Sequence, residues 1–474
     1  MFKTQRIRDP IHDFVIFKSD DPLAVDACAW RLLQSPDFQR LRRIKQLGVS
    51  EFVFPSATHS RFAHSVGVFH NARRLVKLIR REIELGRVNG HFDQDRAKIA
   101  ILAALLHDIG HGPFSHAFEN ARKAVRAEQA PAGTNPAPIR GHEDLTAEMI
   151  KDPNGEIGAI LADVGVDPDN VAELIASKIP QDMYHAIVSS SFDADRLDYL
   201  MRDRYMTGTG AGAIDLEWLM DNVRVAAIDV SPPEAEGEEE TFRHSFCLSH
   251  KAREAAEDFL LARYRLYSNV YLHKTTRGIE QLLAVLFRMI ARAASDGKVC
   301  GLAPECPLVR FFSRDGDTLA NYRDIDDTVV WGAIHGLHFG GGSEAKDIAR
   351  RLLNRERPYC LDIQQTFPED ADRQRRLKRR LDSEFGSRLD SRVFRDTSSL
   401  SIYGEIGADD RRAQERLMIQ LMDGSLREIT HFQDSTMAGS DHKRLLERYY
   451  FLDESDCHRA QTIVDSIGRR GSRR

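Results

Sequence analysis

The run His107-Asp108-Ile109-Gly110-His111-Gly112-Pro113-Phe114-Ser115-His116 places three histidines and an aspartate within ten residues. Imidazole nitrogens and carboxylate oxygens converging on one point are what a divalent transition metal requires. Adjacent side chains on a regular helix point ~100° apart. His107 and Asp108 therefore share one metal only where their helix ends, and Gly110 and Pro113 supply that end. Upstream, Arg61-Phe62-Ala63-His64-Ser65 puts a further histidine at a helix start. Downstream, Phe192-Asp193-Ala194-Asp195-Arg196-Leu197-Asp198-Tyr199 opens another helix with carboxylates. Two histidines and two aspartates from helix ends make four protein ligands and leave positions for water and phosphate.

The elements that must carry these groups read as helices. Val66, Phe69, Ala72, Leu75, Val76 and Ile79 recur at steps of three and four, the stripe of an amphipathic helix. From Lys98 to Ile109 apolar residues occupy nearly every face, which predicts a helix buried all round. Further helices are expected at about Phe192 to Arg204, Ala252 to Tyr267 and Glu344 to Leu353. Strands are expected at Val223–Ala227 and Phe246–Ser249, joined across an acidic loop, 232–241, too charged and too poor in apolar groups to pack. Glu128 to Gly141 reads as a second loop.

Composition bounds the function. Over 474 residues the apolar fraction is 42%, enough for a large core, and charged residues make up 29% with a net charge of −5. That balance disfavours a protein that coats nucleic acid by bulk charge. The six cysteines form no C-x-x-C pair and read as reduced thiols. No apolar run approaches the ~20 residues of a membrane span. The first residues lack the apolar segment of a secretion signal, so the expected location is cytoplasmic.

Longer stretches carry a family likeness. Phe38-Gln39-Arg40-Leu41-Arg42-Arg43-Ile44-Lys45-Gln46-Leu47-Gly48, then Phe54-Pro55, then His59-Ser60-Arg61-Phe62-Ala63-His64-Ser65, then the His-Asp run, stand in the order of a known family. Over roughly residues 6 to 280 the chain resembles the HD-domain dNTP triphosphohydrolases. These include the bacterial dGTPase type and, more closely, the catalytic core of the vertebrate SAM-and-HD-domain enzyme. The resemblance implies a mainly α, HD-domain helical fold; the pattern along the chain, mixed and charged after about Cys300, predicts that helical domain over 1–300 with short β-hairpins and a smaller α+β lobe over 301–474, expected to serve oligomerisation or regulation. It implies metal ligands at His64, His107, Asp108 and Asp195, and catalytic groups at His111, His116, His142 and Glu119, where the closer relative has Asp. Of these, His116 is assigned the general acid and His111 and His142 the phosphate contacts. The substrate-binding set it implies is Gln46, Arg61, Arg196, Tyr199, Asp203, Arg263, Tyr271 and Lys274. Gln46, Tyr199 and Asp203 would hold the sugar 3′-hydroxyl, and Tyr271 would crowd the 2′ position. The implied reaction is attack of metal-activated water on the α-phosphorus of a dNTP, giving a deoxynucleoside and inorganic triphosphate. The metal would be one Fe, Mn, Zn or Ni per site, with Mg accompanying the triphosphate.

The resemblance further implies a homo-oligomer, dimer or tetramer, with a nucleotide effector between subunits. Arg42, Lys45 and His273-Lys274 keep part of the effector's basic surface. Gln34 stands where the relative reads guanine with Asp, and a Gln amide cannot accept from both guanine donors. Arg8 replaces Asn. A nucleotide of another kind, or no activator, is therefore open, and activity, if switched at all, is expected not to require GTP. Two other readings stay open at the level of sequence: an HD-type phosphodiesterase or nuclease on the same metal site, since fold does not fix substrate, and a nucleotide-sensing regulator with little turnover.

Overall fold

The computed structural model describes residues 2–129, 138–177, 181–210, 214–229, 241–389, 391–402, 404–405, 416–438 and 444–471. The acidic loop expected at 232–241 lies, but for Thr241, outside the described residues, as does 130–137 of the expected loop after Glu128.

The protein is mainly α with small sheets. Its centre is the Gln94–Leu106 helix, in which every residue from Ile99 to Leu106 is buried. That helix packs on the Arg61–Glu84 and Pro168–Ala176 helices, and the Arg61–Glu84 helix in turn packs on Ala194–Thr207. A helix buried all round needs apolar groups on all faces, and its sequence provides them.

Each of these helices starts on a capping side chain. Ser60 Oγ accepts from the Ala63 amide at 3.4 Å, Asp93 accepts from Asp95 and Arg96, and Asp193 accepts from Arg196 at 2.8 Å. Such caps satisfy amides that have no intrahelical partner. The Ala194–Thr207 helix ends on Gly208 at φ 67°, a left-handed position suited to glycine.

An amino-terminal hairpin pairs Gln5–Asp9 with Asp13–Phe17, antiparallel, with Ile7 opposite Val15. The expected strand pair is present as Val223–Asp229 against Phe242–Ser249. Two short strands extend it, Met418–Gln420 joining in parallel to Phe242–Ser249. A second four-stranded sheet centres on Arg444–Phe451, flanked by Tyr359–Asp362 and Val393–Ser401.

Among the described residues two large apolar cores and a small cluster of Leu272, Leu400 and Leu446 result. The largest runs from Val15 through the helices to Leu452 and includes Leu308, Val330, Ile334 and Ile348. The second gathers Leu361, Leu377, Leu381, Phe385, Tyr449, Phe451 and Ile463 between the second sheet and the Ala371–Phe385 and Glu454–Gly471 helices. No described helix is long and apolar enough to cross a membrane.

Candidate active site

The Gln94–Leu106 helix stops at His107, and Gly110 shows why. A Cβ on Gly110 would stand 2.3 Å from the His142 carbonyl oxygen and 2.4 Å from the Thr146 nitrogen. Only glycine lets the His142–Lys151 helix approach that closely. Thr146 then pins the break, accepting from the Gly110 amide at 3.0 Å and donating to the His107 carbonyl at 3.1 Å.

Three of the expected metal ligands converge. Ligand atoms of His64, His107 and Asp195 all lie within 4.8 Å of one another. His64 Nε2 is buried and 2.9 Å from Asp195 Oδ1. Both imidazoles are held at their other nitrogen, His64 Nδ1 by Asp198 at 2.8 Å and His107 Nδ1 by the Ala104 carbonyl at 2.9 Å. Each therefore turns Nε2 to the shared point, the arrangement that suits a metal ligand. Burial alone would lower the His64 pKa, but the carboxylates of Asp195 and Asp198 outweigh it and push it up to about 10. The donor set fits a divalent transition metal.

Asp108 lies beside this group. Its Oδ1 is 3.3 Å from His107 Nε2 and 3.2 Å from His111 Nε2, and its Oδ2 receives Arg61 Nη1 at 2.5 Å. Burial works against its charge, but Arg61, His107 and His111 hold it well below the usual carboxylate range. Arg61 also donates to Ser115 Oγ at 2.7 Å, while its buried Nε has no hydrogen-bond partner.

Beyond the break, His111 stacks on His142 with ring centroids 4.1 Å apart. Burial, Arg61 and His142 hold His111 well below the ordinary imidazole value, so it is neutral near pH 7. Glu119 faces His142 Nδ1 at 3.4 Å and Lys123 Nζ at 3.2 Å. The hydrogen bond from His142, with Lys123 adding to it, lowers the Glu119 pKa. His116 begins the His116–Gln129 helix, and its side chain lies outside the described residues.

Arg61, His64, His107, Asp108, His111, His142 and Asp195 open on a cavity of about 550 Å³ that also reaches Gln46, Arg196, Tyr199, Asp203 and Tyr271. Asp203 is buried and accepts from His59 Nε2 at 2.8 Å and from the Tyr271 hydroxyl at 2.6 Å. Tyr271 ends a π-helical turn, Tyr267–Tyr271, and its ring meets Tyr267 edge-on at 4.8 Å. Such turns often mark functional positions. The Gln46 side-chain oxygen is buried without a partner. Arg196 is folded onto Asp193 and the Ser190 carbonyl.

Two expected substrate residues stand apart from the cavity lining. Arg263 is 4% exposed with Nε and Nη1 unpartnered behind Tyr267. Lys274 is exposed at the start of the Lys274–Ser295 helix. Of the effector residues, Arg42 lies 3.6 Å over the Phe62 ring, Lys45 pairs with Glu51, and Arg8 pairs with Asp13 at 2.9 Å.

Sequence reasoning did not single out Asp198, Ser115 or Asp327 as site residues. Asp327 accepts the Lys45 and Phe114 amides, both at 2.9 Å. It thereby steadies Phe114 and Ser115, which hold left-handed φ of 51° and 49°. His59 was visible in the quoted motif, and its role follows only from its partner.

Residues 61–203 match the family model described as HD domain. An uncharacterized Bacillus subtilis protein, YwfO, is 32% identical over 352 residues, covering 74% of this chain and 70% of that protein. A Dictyostelium discoideum deoxynucleoside triphosphate triphosphohydrolase, a SAMHD1 homolog, is 31% identical over 270 residues. That match covers 54% of this chain and 45% of the relative, so the chain spans under half of it. Among solved structures, a phosphohydrolase from Bacteroides thetaiotaomicron has the same fold, with a TM-score of 0.69 over 95% of this chain and 100% of that one, at 24% identity.

Proposed function

Since this chain belongs to the HD-domain family, we propose that it hydrolyses deoxynucleoside triphosphates to the deoxynucleoside and inorganic triphosphate. The observation that carries the reading is one cavity lined by both the His64–His107–Asp195 cluster and the Tyr271–Asp203 pair, which His59 braces through Asp203. The first suits a phosphate-activating ion and the second suits a sugar.

His64, His107, Asp108 and Asp195 would hold the metal, which when bound supplies Lewis acidity and a lowered water pKa. Arg61 lines the cavity, fixes Asp108 and brings positive charge to the phosphates. Arg196 adds a second guanidinium to the lining, and Arg263 supports Tyr267 with a guanidinium two of whose nitrogens are unpartnered. His111 and His142 form the stacked wall for the chain of phosphates, with Glu119 orienting His142. The proton for the departing 5′-oxygen is assigned to His116. Gln46, Tyr199 and Asp203 read the 3′-hydroxyl, and Tyr271 excludes a 2′-hydroxyl. The protein works in the cytoplasm as a homo-oligomer, dimer or tetramer, and any nucleotide activation does not require GTP.

The test is turnover of the metal-loaded protein on four dNTPs, four NTPs and a single-stranded oligonucleotide, with products identified. Triphosphate release from dNTPs is expected. Oligonucleotide cleavage without triphosphate release would establish the phosphodiesterase reading instead, and no turnover on any substrate would favour a sensing role.

A further inference from the structure

Asp198 lies one helical turn beyond Asp195 and is fully buried. Four donors converge on its two oxygens: His64 Nδ1 at 2.8 Å, His12 Nε2 at 2.7 Å, Arg202 Nε at 2.8 Å and Arg202 Nη2 at 2.9 Å. Arg202 Nη1 continues to Asp9 at 2.8 Å. Asp9 in turn accepts the amides of Ile11 and His12, at 2.9 and 3.0 Å, so it shapes the hairpin turn that carries His12. His12 is stacked on His70 with ring centroids 4.8 Å apart. The amino-terminal hairpin thus reaches the back of the metal ligand His64 through a single carboxylate.

Gly67 shows that this contact is built in. It stands one turn after His64, inside the Arg61–Glu84 helix, where glycine costs backbone entropy. A Cβ there would lie 1.8 Å from Asp198 Oδ1 and 2.6 Å from Arg202 Nη2. Glycine is what allows the carboxylate and the guanidinium to lie against the helix under His64.

We infer that Asp198 is the positioning residue of the metal site, gripped by Arg202 and by His12 of the amino-terminal hairpin, and that it fixes the tautomer and ring plane of His64. This rests on the metal-site reading above. Holding the proton at His64 Nδ1 leaves Nε2 as the ligand atom, and four donors leave the carboxylate no freedom to rotate. Loss of such an outer partner weakens metal affinity by about 10–100-fold. Loss of His12 alone removes one of four donors and gives a smaller effect.

The experiment titrates Co²⁺ into metal-free full-length protein against a chromophoric chelator and records the visible ligand-field spectrum. Wild type is expected to bind one ion per chain. Asp198→Asn is expected to bind about 10–100-fold more weakly, with a shifted spectrum. His12→Ala is expected to bind several-fold more weakly, with His12→Gln, which restores a donor, returning towards wild type. Wild-type affinity and spectrum in a folded Asp198→Asn would overturn the inference. If that variant does not fold, wild-type affinity in His12→Ala overturns it. Failure of wild type itself to bind Co²⁺ overturns the metal-site reading, and the inference with it, and is distinguished by its own trace.

Discussion

Replacing Tyr271 tests the sugar gate, because its hydroxyl and its ring have separable effects. The hydroxyl donates to Asp203 at 2.6 Å, and Asp203 is only 1% exposed with His59 as its other side-chain donor. A hydrogen bond to a buried charged group contributes about 1.5–3 kcal/mol, so Tyr271→Phe should lower the unfolding midpoint by a few degrees. The ring remains in Tyr271→Phe, still edge-on to Tyr267 at 4.8 Å and to Tyr199 at 6.4 Å. The preference for dATP over ATP should therefore survive within several-fold. Burial, reinforced by Asp203, holds the Tyr271 pKa well above its ordinary value, so the hydroxyl stays protonated and the preference should not change between about pH 6 and 9. Tyr271→Ala removes the wall itself. Steric rejection of one extra small group is worth roughly 10–200-fold, and about that much of the dATP/ATP ratio in kcat/KM should vanish. The assay is kcat/KM for both nucleotides with metal content measured alongside. A Tyr271→Ala protein as selective as wild type, with metal retained, would refute the gate.

Three further outcomes are expected. His64, whose pKa is pushed up to about 10, carries a proton at pH 7 in the metal-free protein; metal binding should release about one proton and tighten as pH rises towards that value, and calorimetry in buffers of different ionisation enthalpy giving no proton release would contradict this. Burial pushes the Asp327 pKa up from 3.8 to about 6 against the pull of its two amide donors; a raised carboxyl pKa stabilises the fold fully below 3.8 and loses that contribution as pH rises through about 6. The stability advantage of wild type over Asp327→Asn should therefore shrink by about 3 kcal/mol between pH 3.5 and 7, where a growing gap would show the sign to be wrong. Burial also pushes the thiols of Cys28 and Cys247 up to about 12, so an alkylating reagent should leave both unmodified in the native protein and label both after denaturation.

The helices that carry the site were legible because their signals are local. The apolar run before His107, the Gly110 break and the stripe from Val66 to Ile79 need only neighbours in sequence. The histidines and aspartates around the break were legible as chemistry for the same reason. Asp198 was hidden because its partners His12 and His64 are 186 and 134 residues away, and within its own helix it reads as one more surface carboxylate. Asp327 was hidden in the same way, 213 residues from Phe114. The π-turn at Tyr267–Tyr271 has no periodic signature to separate it from the helix it extends. Lys274 stands next to His273 in the motif, yet the helix that begins there turns its side chain to solvent.

The most direct measurement is hydrolysis of a dNTP by the metal-loaded protein in ¹⁸O-water, with mass analysis of both products. Attack on the α-phosphorus predicts unlabelled deoxynucleoside and one ¹⁸O in inorganic triphosphate. Deoxynucleoside monophosphate with pyrophosphate, deoxynucleoside diphosphate with phosphate, or label on the 5′-hydroxyl would contradict it.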